Sequence, residues 1–374
     1  MIKPKAASLP DRYPDPFSAQ PGRLGRNEAI GDFCRGGAAT VRPIGAGVSE
    51  RQPYSDLSPD AVLKAAEQLG LDPDGRLFAL NSYENRVYRL GRHEAEAVVL
   101  KFYRAGRWSD AQILEEHAFA TELAAAEIPV VAPLELRGAT LTHVAGFRVA
   151  AFPLRPGGTP ELDPPGAREL LGRTLGRIHA LGARQRFQYR PVLAGDRLGA
   201  KARATVLASG YLPQPTQTRY AEVSARLLAA INDVWQQAQP IRAIRLHGDC
   251  HLGNILWRAS GPIFVDLDDC MMGPAIQDLW MFLSGSADEQ RWQWSGLLAG
   301  YEQFATFDFT ELKLIEALRA ARMLNHAAWI AERWTDPAFP RAFPWFAEPR
   351  FWEQHTSDLA EQCEAVDAPP LLLQ

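Results

Sequence analysis

The sequence predicts an α+β fold in two lobes, a small antiparallel β-rich lobe followed by a mostly helical one. Three observations carry the prediction. Short β-branched and aromatic runs separated by polar turns crowd residues 77–103. Pro153, Pro156, Gly157, Gly158 and Pro160 then interrupt the pattern. Beyond them, apolar residues recur at steps of three and four, the period of a helix with one buried face. At 374 residues and 47% hydrophobic content, the chain is long enough to bury a core in each lobe.

Residues 1–50 hold Pro, Gly, Ala and charge with no helical or strand period. Too little apolar surface is available there to offset ordering entropy, so a flexible tail is expected. Ser58, Pro59 and Asp60 open the first helix, with a serine cap and a proline at the first turn. Strands are expected at 77–80, 86–90 and 97–103. Ser109 to Gln112 has the S-x-x-Q form of a capping box, opening a helix that runs to Glu127 and breaks at Pro129. Further strands are expected at 134–136 and 147–152, after which the lobe boundary falls. The expected lobes are 56–154 and 155–360. In the second, Leu171, Leu175 and Ile178 carry the helical period, with further helices expected over 222–237 and 311–332.

Composition excludes several classes. Lys and Arg total 40 against 44 Asp and Glu, a net charge of −4, which gives no reason to expect nucleic acid as a partner. Cys34, Cys250, Cys270 and Cys363 show neither CxxC spacing nor a zinc-ligand pattern, which fits reduced thiols in cytosol. No apolar run approaches the roughly 18 residues of a membrane span, and the first residues lack the apolar core of a signal peptide. A soluble cytoplasmic protein is expected.

The densest chemical signal is His247-Gly248-Asp249-Cys250-His251-Leu252-Gly253-Asn254, followed by Asp266-Leu267-Asp268-Asp269 after an apolar run. Phosphoryl transfer requires a carboxylate beside the acceptor hydroxyl and oxygen ligands for the magnesium that neutralises phosphate charge. Asp249 is expected as the catalytic aspartate, with Asn254 and Asp266 as metal ligands. The step from Asp249 to Asn254 matches the catalytic loop of protein kinases. Asp268 and Asp269 are alternative ligands, and Asp266 is favoured because it directly follows the apolar run. His247 and His251 are read as packing residues, since no third metal ligand accompanies them.

Lys101 lies in an apolar strand, where a lysine needs a partner or a phosphate. Glu116 interrupts the inward line of Ile113, Ala120 and Leu123 on the Ser109-capped helix, so it is preferred over Glu115 as that partner. The turn at 80–85 lacks the glycines of a phosphate-covering loop, leaving Ser82, and secondarily Asn85, as side-chain donors. Phe152, Pro153 and Leu154 hold the place of a hinge that meets adenine. Asp278 is expected to begin a helix and accept amide hydrogens from the catalytic loop. Arg319, Arg322 and Asn325 interrupt an apolar helix at steps of three, either lining the acceptor cleft or making structural ion pairs.

The HGDxHxxN form resembles the aminoglycoside phosphotransferase and choline kinase branch of the protein-kinase-like superfamily. LNSYENRVY at 80–88, VLKFYR at 99–104, ILEEH at 113–117, RLHGDCHLGNILWR at 245–258 and DPAFPRAFPW at 336–345 resemble the bacterial stress response kinase A family. That resemblance implies a cytoplasmic, monomeric, autophosphorylating serine/threonine protein kinase that uses ATP and Mg²⁺ and restrains stress-induced cell death. By position it implies Asp249 as proton acceptor, Asn254 and Asp266 as magnesium ligands, and Ser82 at the ATP loop. The segment from Asp266 to Asp278 is too short for an activation loop and no APE sequence follows. The alternative acceptor is therefore a small-molecule hydroxyl of the aminoglycoside, choline or homoserine kind.

Overall fold

The computed structural model describes residues 53–195 and 198–370; the tail expected over 1–50 lies outside the described residues. Helix α1 (Pro59–Gln68) starts as the sequence dictates, with the Ser58 hydroxyl accepting the Ala61 amide at 3.2 Å. Five strands, β1 (Pro73–Ala79), β2 (Arg86–Arg92), β3 (Ala95–Tyr103), β4 (Thr142–Val144) and β5 (Phe147–Pro153), form one sheet in the order β1-β2-β3-β5-β4. Every neighbouring pair is antiparallel. Helix α2 (Asp110–Ala125) intervenes behind the Ser109 capping box, in which Gln112 returns its side chain to the Ser109 amide at 2.9 Å.

The strand expected at 134–136 is not a strand. Leu136 makes an isolated bridge to Ala139, and Leu134 donates its amide to the Ala151 carbonyl at 2.7 Å. Both leucines pack against the sheet core, so their alternation records burial without a ladder. The partner of β5 is instead the short β4, whose His143 breaks the apolar signal.

The remainder is mainly helical: α3 (Ala167–Gly182), α4 (Ala200–Ala208), α5 (Gln214–Gln237), α6 (Ala287–Tyr301), α7 (Ile315–Arg333), α8 (Ala338–Ala342) and α9 (Pro349–Asp367). Two small antiparallel pairs are set among them, β6 (Ile244–Leu246) with β9 (Met271–Gly273) and, between these in sequence, the hairpin of β7 (Ile255–Arg258) with β8 (Gly261–Phe264). The helix expected from 222 begins at Gln214, because Pro215 fits a first turn whose polar residues hide it from periodicity. The helix expected over 311–332 is divided into a 3₁₀ turn, Phe309–Leu314, and α7. Helices α3 and α6 pack at backbone distance, since a methyl group at Gly172 or Gly300 would collide with the carbonyl of Leu297 or Glu169.

One core unites the helices around Tyr220, Trp294 and Trp352; a second packs Val62 and Ala66 of α1 against Leu90, Leu100 and Phe102 of the sheet. Phe119, Ala120 and Leu123 of α2 belong to the helical core, which fixes the helix where one side can face the sheet.

Candidate active site

The loop between β6 and β7 is held from below. Asp278, fully buried, accepts the amides of His247 at 2.7 Å and Gly248 at 2.8 Å, and its carboxylate meets His179 Nε2 at 3.1 Å. The expected bracing of the loop is present, although Asp278 ends a 3₁₀ turn, Ala275–Asp278, instead of beginning a helix. Gly248 has φ +90°, and a Cβ there would strike the Asp269 carbonyl, so this position needs glycine. His247 packs on Phe264 and bonds the Val265 carbonyl through Nε2 at 2.9 Å.

These constraints present Asp249 to a cavity of about 860 Å³. Its Oδ1 accepts from Arg322 Nη1 at 2.6 Å, and its Oδ2 lies 3.4 Å from His251 Nε2. His251 Nδ1 accepts the Gly253 amide at 2.9 Å, which leaves the ring proton on Nε2, toward Asp249. Burial alone would raise the Asp249 pKa, but Arg322 and His251 override it and hold the carboxyl far below the usual carboxylate range. Asn254 donates Nδ2 to the Asp249 carbonyl at 3.0 Å, an anchor that leaves its amide oxygen for another partner.

Asp266 follows β8 in the left-handed conformation, φ 59° and ψ 67°, a strained backbone for a residue with a side chain. Leu267–Asp269 is a 3₁₀ turn, so strand alternation does not govern which carboxylate faces the cleft. Asp266 is half-exposed, with 50% of its side chain accessible, whereas Asp268 is buried and Asp269 turns to Arg107 Nη2 at 2.5 Å.

Lys101, on β3, is buried among three acids: Asp266 Oδ1 at 2.8 Å, Asp268 Oδ1 at 3.1 Å and Glu116 Oε1 at 3.8 Å. Burial works against its charge, but the surrounding carboxylates prevail and hold its pKa well above the usual lysine value. Glu116 is pushed up to about 7 by burial, against the pull of Lys101. Glu115 points elsewhere and accepts the amides of Gln188, Tyr189 and Arg190.

Ser82, Phe152 and Leu154 line the same cavity. The Ser82 hydroxyl donates to the Asn85 carbonyl at 3.1 Å, closing the turn. Asn85 does not offer its donor to the cleft: its Nδ2 faces Asp268 at 3.3 Å and its Oδ1 accepts the Arg104 amide. The three basic or polar α7 residues divide. Arg319 pairs with Glu316 at 3.0 Å and lies over the Trp280 ring, while Arg322 and Asn325 face the cavity.

Two groups were missed by sequence reasoning. Glu84 in the β1–β2 turn accepts Trp329 Nε1 at 2.6 Å and Arg333 Nη2 at 3.1 Å, and Tyr83 packs on Phe343 with ring centroids 5.2 Å apart. A lone glutamate in a polar turn reads as solvated; the only available signal was Trp329 and Arg333, four residues apart on one helix face. His251, assigned to packing, also faces the carboxylate of Asp249.

Among the described residues, no three His, Cys, Asp or Glu side chains gather as a metal-holding group, and no helix is long and apolar enough to cross a membrane. Cys250, Cys270 and Cys363 are free and buried.

The sequence pattern of the phosphotransferase enzyme family, APH, matches residues 77–315. Stress response kinase A of Escherichia coli K12 is 42% identical over 320 residues, covering 86% of this chain and 97% of that protein. The chain belongs to the stress response kinase A family. The serine/threonine protein kinase RdoA of Salmonella typhimurium LT2 matches with the same identity and coverage. Membership makes this chain a phosphotransferase of the kinase class, within a family named for stress response. Solved structures agree on the fold. Amicoumacin kinase hAmiN, in complex with AMP-PNP and Ca²⁺, aligns with TM-score 0.62 at 21% identity, covering 83% of this chain and 94% of that one. A microcompartment-associated aminopropanol kinase aligns with TM-score 0.61 at 18% identity, covering 83% and 100%.

Proposed function

We propose that this member of the stress response kinase A family is an ATP- and Mg²⁺-dependent serine/threonine protein kinase, using Asp249 as the catalytic aspartate. The observation that carries the reading is that Asp249, Asn254 and Asp266 line one cavity together with Lys101, with Asn254 bonded to the Asp249 carbonyl and Asp266 to Lys101. The names of its relatives supply the protein acceptor and the stress-response setting. Autophosphorylation, restraint of stress-induced cell death, a cytoplasmic location and a monomeric working form belong to the same proposal. So do the roles of Ser82, Phe152 and Leu154 at the nucleotide, and the division into lobes at 56–154 and 155–360.

The donor set fits a magnesium ion. Mg²⁺ keeps several waters and takes one or two protein oxygens together with phosphates, so a cluster of three acids is not required. The anchored amide of Asn254 and the half-exposed carboxylate of Asp266 would hold it. When bound there, the ion offsets charge on the β- and γ-phosphates. Asp249, kept ionised by Arg322 and His251, orients the acceptor hydroxyl and receives its proton. Lys101 offers a fixed positive charge to the phosphates, and Asp278 keeps the loop from drifting.

One observation favours a small-molecule acceptor instead, namely the twelve-residue step from Asp266 to Asp278, which has no room for a peptide-docking activation loop. Transfer of labelled γ-phosphate from ATP to a generic protein acceptor, and to the chain itself, tests the proposal. Asp249→Ala is expected to lower transfer by about a thousandfold while ATP still binds. Retention of transfer within a fewfold would remove Asp249 from the mechanism.

A further inference from the structure

The acceptor side of the cavity has a charge pattern of its own. Helix α7 presents Leu318, Arg322, Asn325 and Trp329 to the cavity at steps of four, three and four, a single helical face. Arg322 reaches furthest toward the chemistry, with Nη1 at 2.6 Å from Asp249 Oδ1. Its side chain is 37% exposed, and a guanidinium carries further N–H donors beyond the one spent on Asp249. Because Arg322 occupies Oδ1, the oxygen toward His251 is the one left for an incoming hydroxyl.

Each carboxylate of the cavity faces a cation, three of them sharing Lys101, and on the α7 side each has one of its own. Glu84 faces Arg333 at 2.7 Å, Asp269 faces Arg107, and Glu116, Asp266 and Asp268 surround Lys101. Asp249 itself faces Arg322. A cationic amino alcohol would find no unpaired acid on the α7 side and would place its own charge beside a guanidinium, an unfavourable juxtaposition. A hydroxyl with a negative group close by would find donors on Arg322 and on Asn325, whose Nδ2 keeps one N–H beyond its bond to the Ala321 carbonyl at 2.8 Å.

We infer that the α7 face is the acceptor-recognition surface and that Arg322 selects a serine or threonine hydroxyl flanked by negative charge over cationic amino alcohols. The inference rests on the protein-kinase reading and deepens it by naming the acceptor class. Arg322 acts here in recognition as well as in holding Asp249, so its substitution lowers absolute rates for every acceptor. The ratio between acceptors is the informative quantity.

The experiment uses the full chain with ATP and Mg²⁺. Its acceptors are serine peptides of one frame whose neighbours are aspartate, phosphoserine, alanine or lysine, together with a generic protein, choline and kanamycin. The wild type is expected to prefer acid-flanked over lysine-flanked peptides by about fivefold or more in kcat/KM. Arg322→Lys keeps the order, Arg322→Glu inverts it, and Asn325→Glu, which leaves the Asp249 contact in place, narrows it. Equal use of acidic and basic peptides by the wild type, or an unmoved ratio in Arg322→Glu and Asn325→Glu, overturns the selectivity while labelled protein still supports the kinase reading. Label on choline or kanamycin with none on protein overturns both.

Discussion

Lys101 shows how a buried charge becomes affordable. Three carboxylates lie within 3.8 Å of its ammonium, and Asp268 is further tied to Arg107 Nη1 at 2.7 Å. The group is coupled, because the three carboxylates share one cation. Removal of the lysine leaves the buried Glu116 without its ion-pair partner and Asp268 with Arg107 alone, and breaking a buried pair in this way destabilises by about 3–5 kcal/mol. Lys101→Met is therefore expected to lower stability by about 3 kcal/mol and to abolish tight ATP binding. A second change, Asp268→Asn or Glu116→Gln, should restore part of the stability but none of the nucleotide affinity. Denaturant unfolding and nucleotide titration of the single and double variants check this. Additive losses in the double variants would show that the charges do not act as a unit.

The β1–β2 turn and α7 form a latch between the sheet and the helices. Glu84 joins Trp329 and Arg333 to Arg104, just past the end of β3, where Arg104 Nε lies 3.2 Å from the same carboxylate. Asp336 repeats the link, accepting from Arg86 and Arg104 at 3.0 Å and 2.8 Å. The latch holds Ser82 over the cavity without glycine-rich backbone. Glu84→Ala is expected to cost about 2 kcal/mol and to raise KM for ATP more than it lowers kcat, with partial recovery in Glu84→Gln. A lowered melting midpoint with unchanged KM would mean that the latch serves stability alone. This link also marks what the sequence could reveal. The loop at Asp249 was legible as a candidate site because its signal is confined to a short stretch with fixed spacing, and the pairing of Lys101 with Glu116 because each interrupts an apolar pattern. Glu84, His251 and the fate of Asn85 were not, since their partners lie far away in sequence or are chosen by side-chain direction. The elements failed for related reasons, as at 134–136, where apolar alternation reported burial and not pairing.

Across the whole molecule, support for the loop that carries Asp249 passes through a relay of buried polar groups. Glu311, in the 3₁₀ turn before α7, accepts the Ile276 amide at 2.9 Å. Ile276 belongs to the turn that carries Asp278, which in turn holds His247 and Gly248 and meets His179 of α3. Burial pushes the Glu311 carboxyl up to about 7, with the Ile276 amide opposing. The sign follows from linkage: below the unfolded value near 4.5 the group is protonated in both states and its contribution is intact. As pH rises toward 7 the unfolded chain ionises first, so the folded state loses stability over that window. Glu311→Gln retains a carbonyl oxygen for Ile276 but does not titrate. The stability difference, variant minus wild type, is expected to grow by about 2–3 kcal/mol between pH 4.5 and 7.5, starting near or below zero at the acid end. Thermal melting of both proteins across that range checks it. A difference that stays flat with pH would mean that Glu311 is ionised in the fold and that the relay carries a charge, not a neutral hydrogen bond.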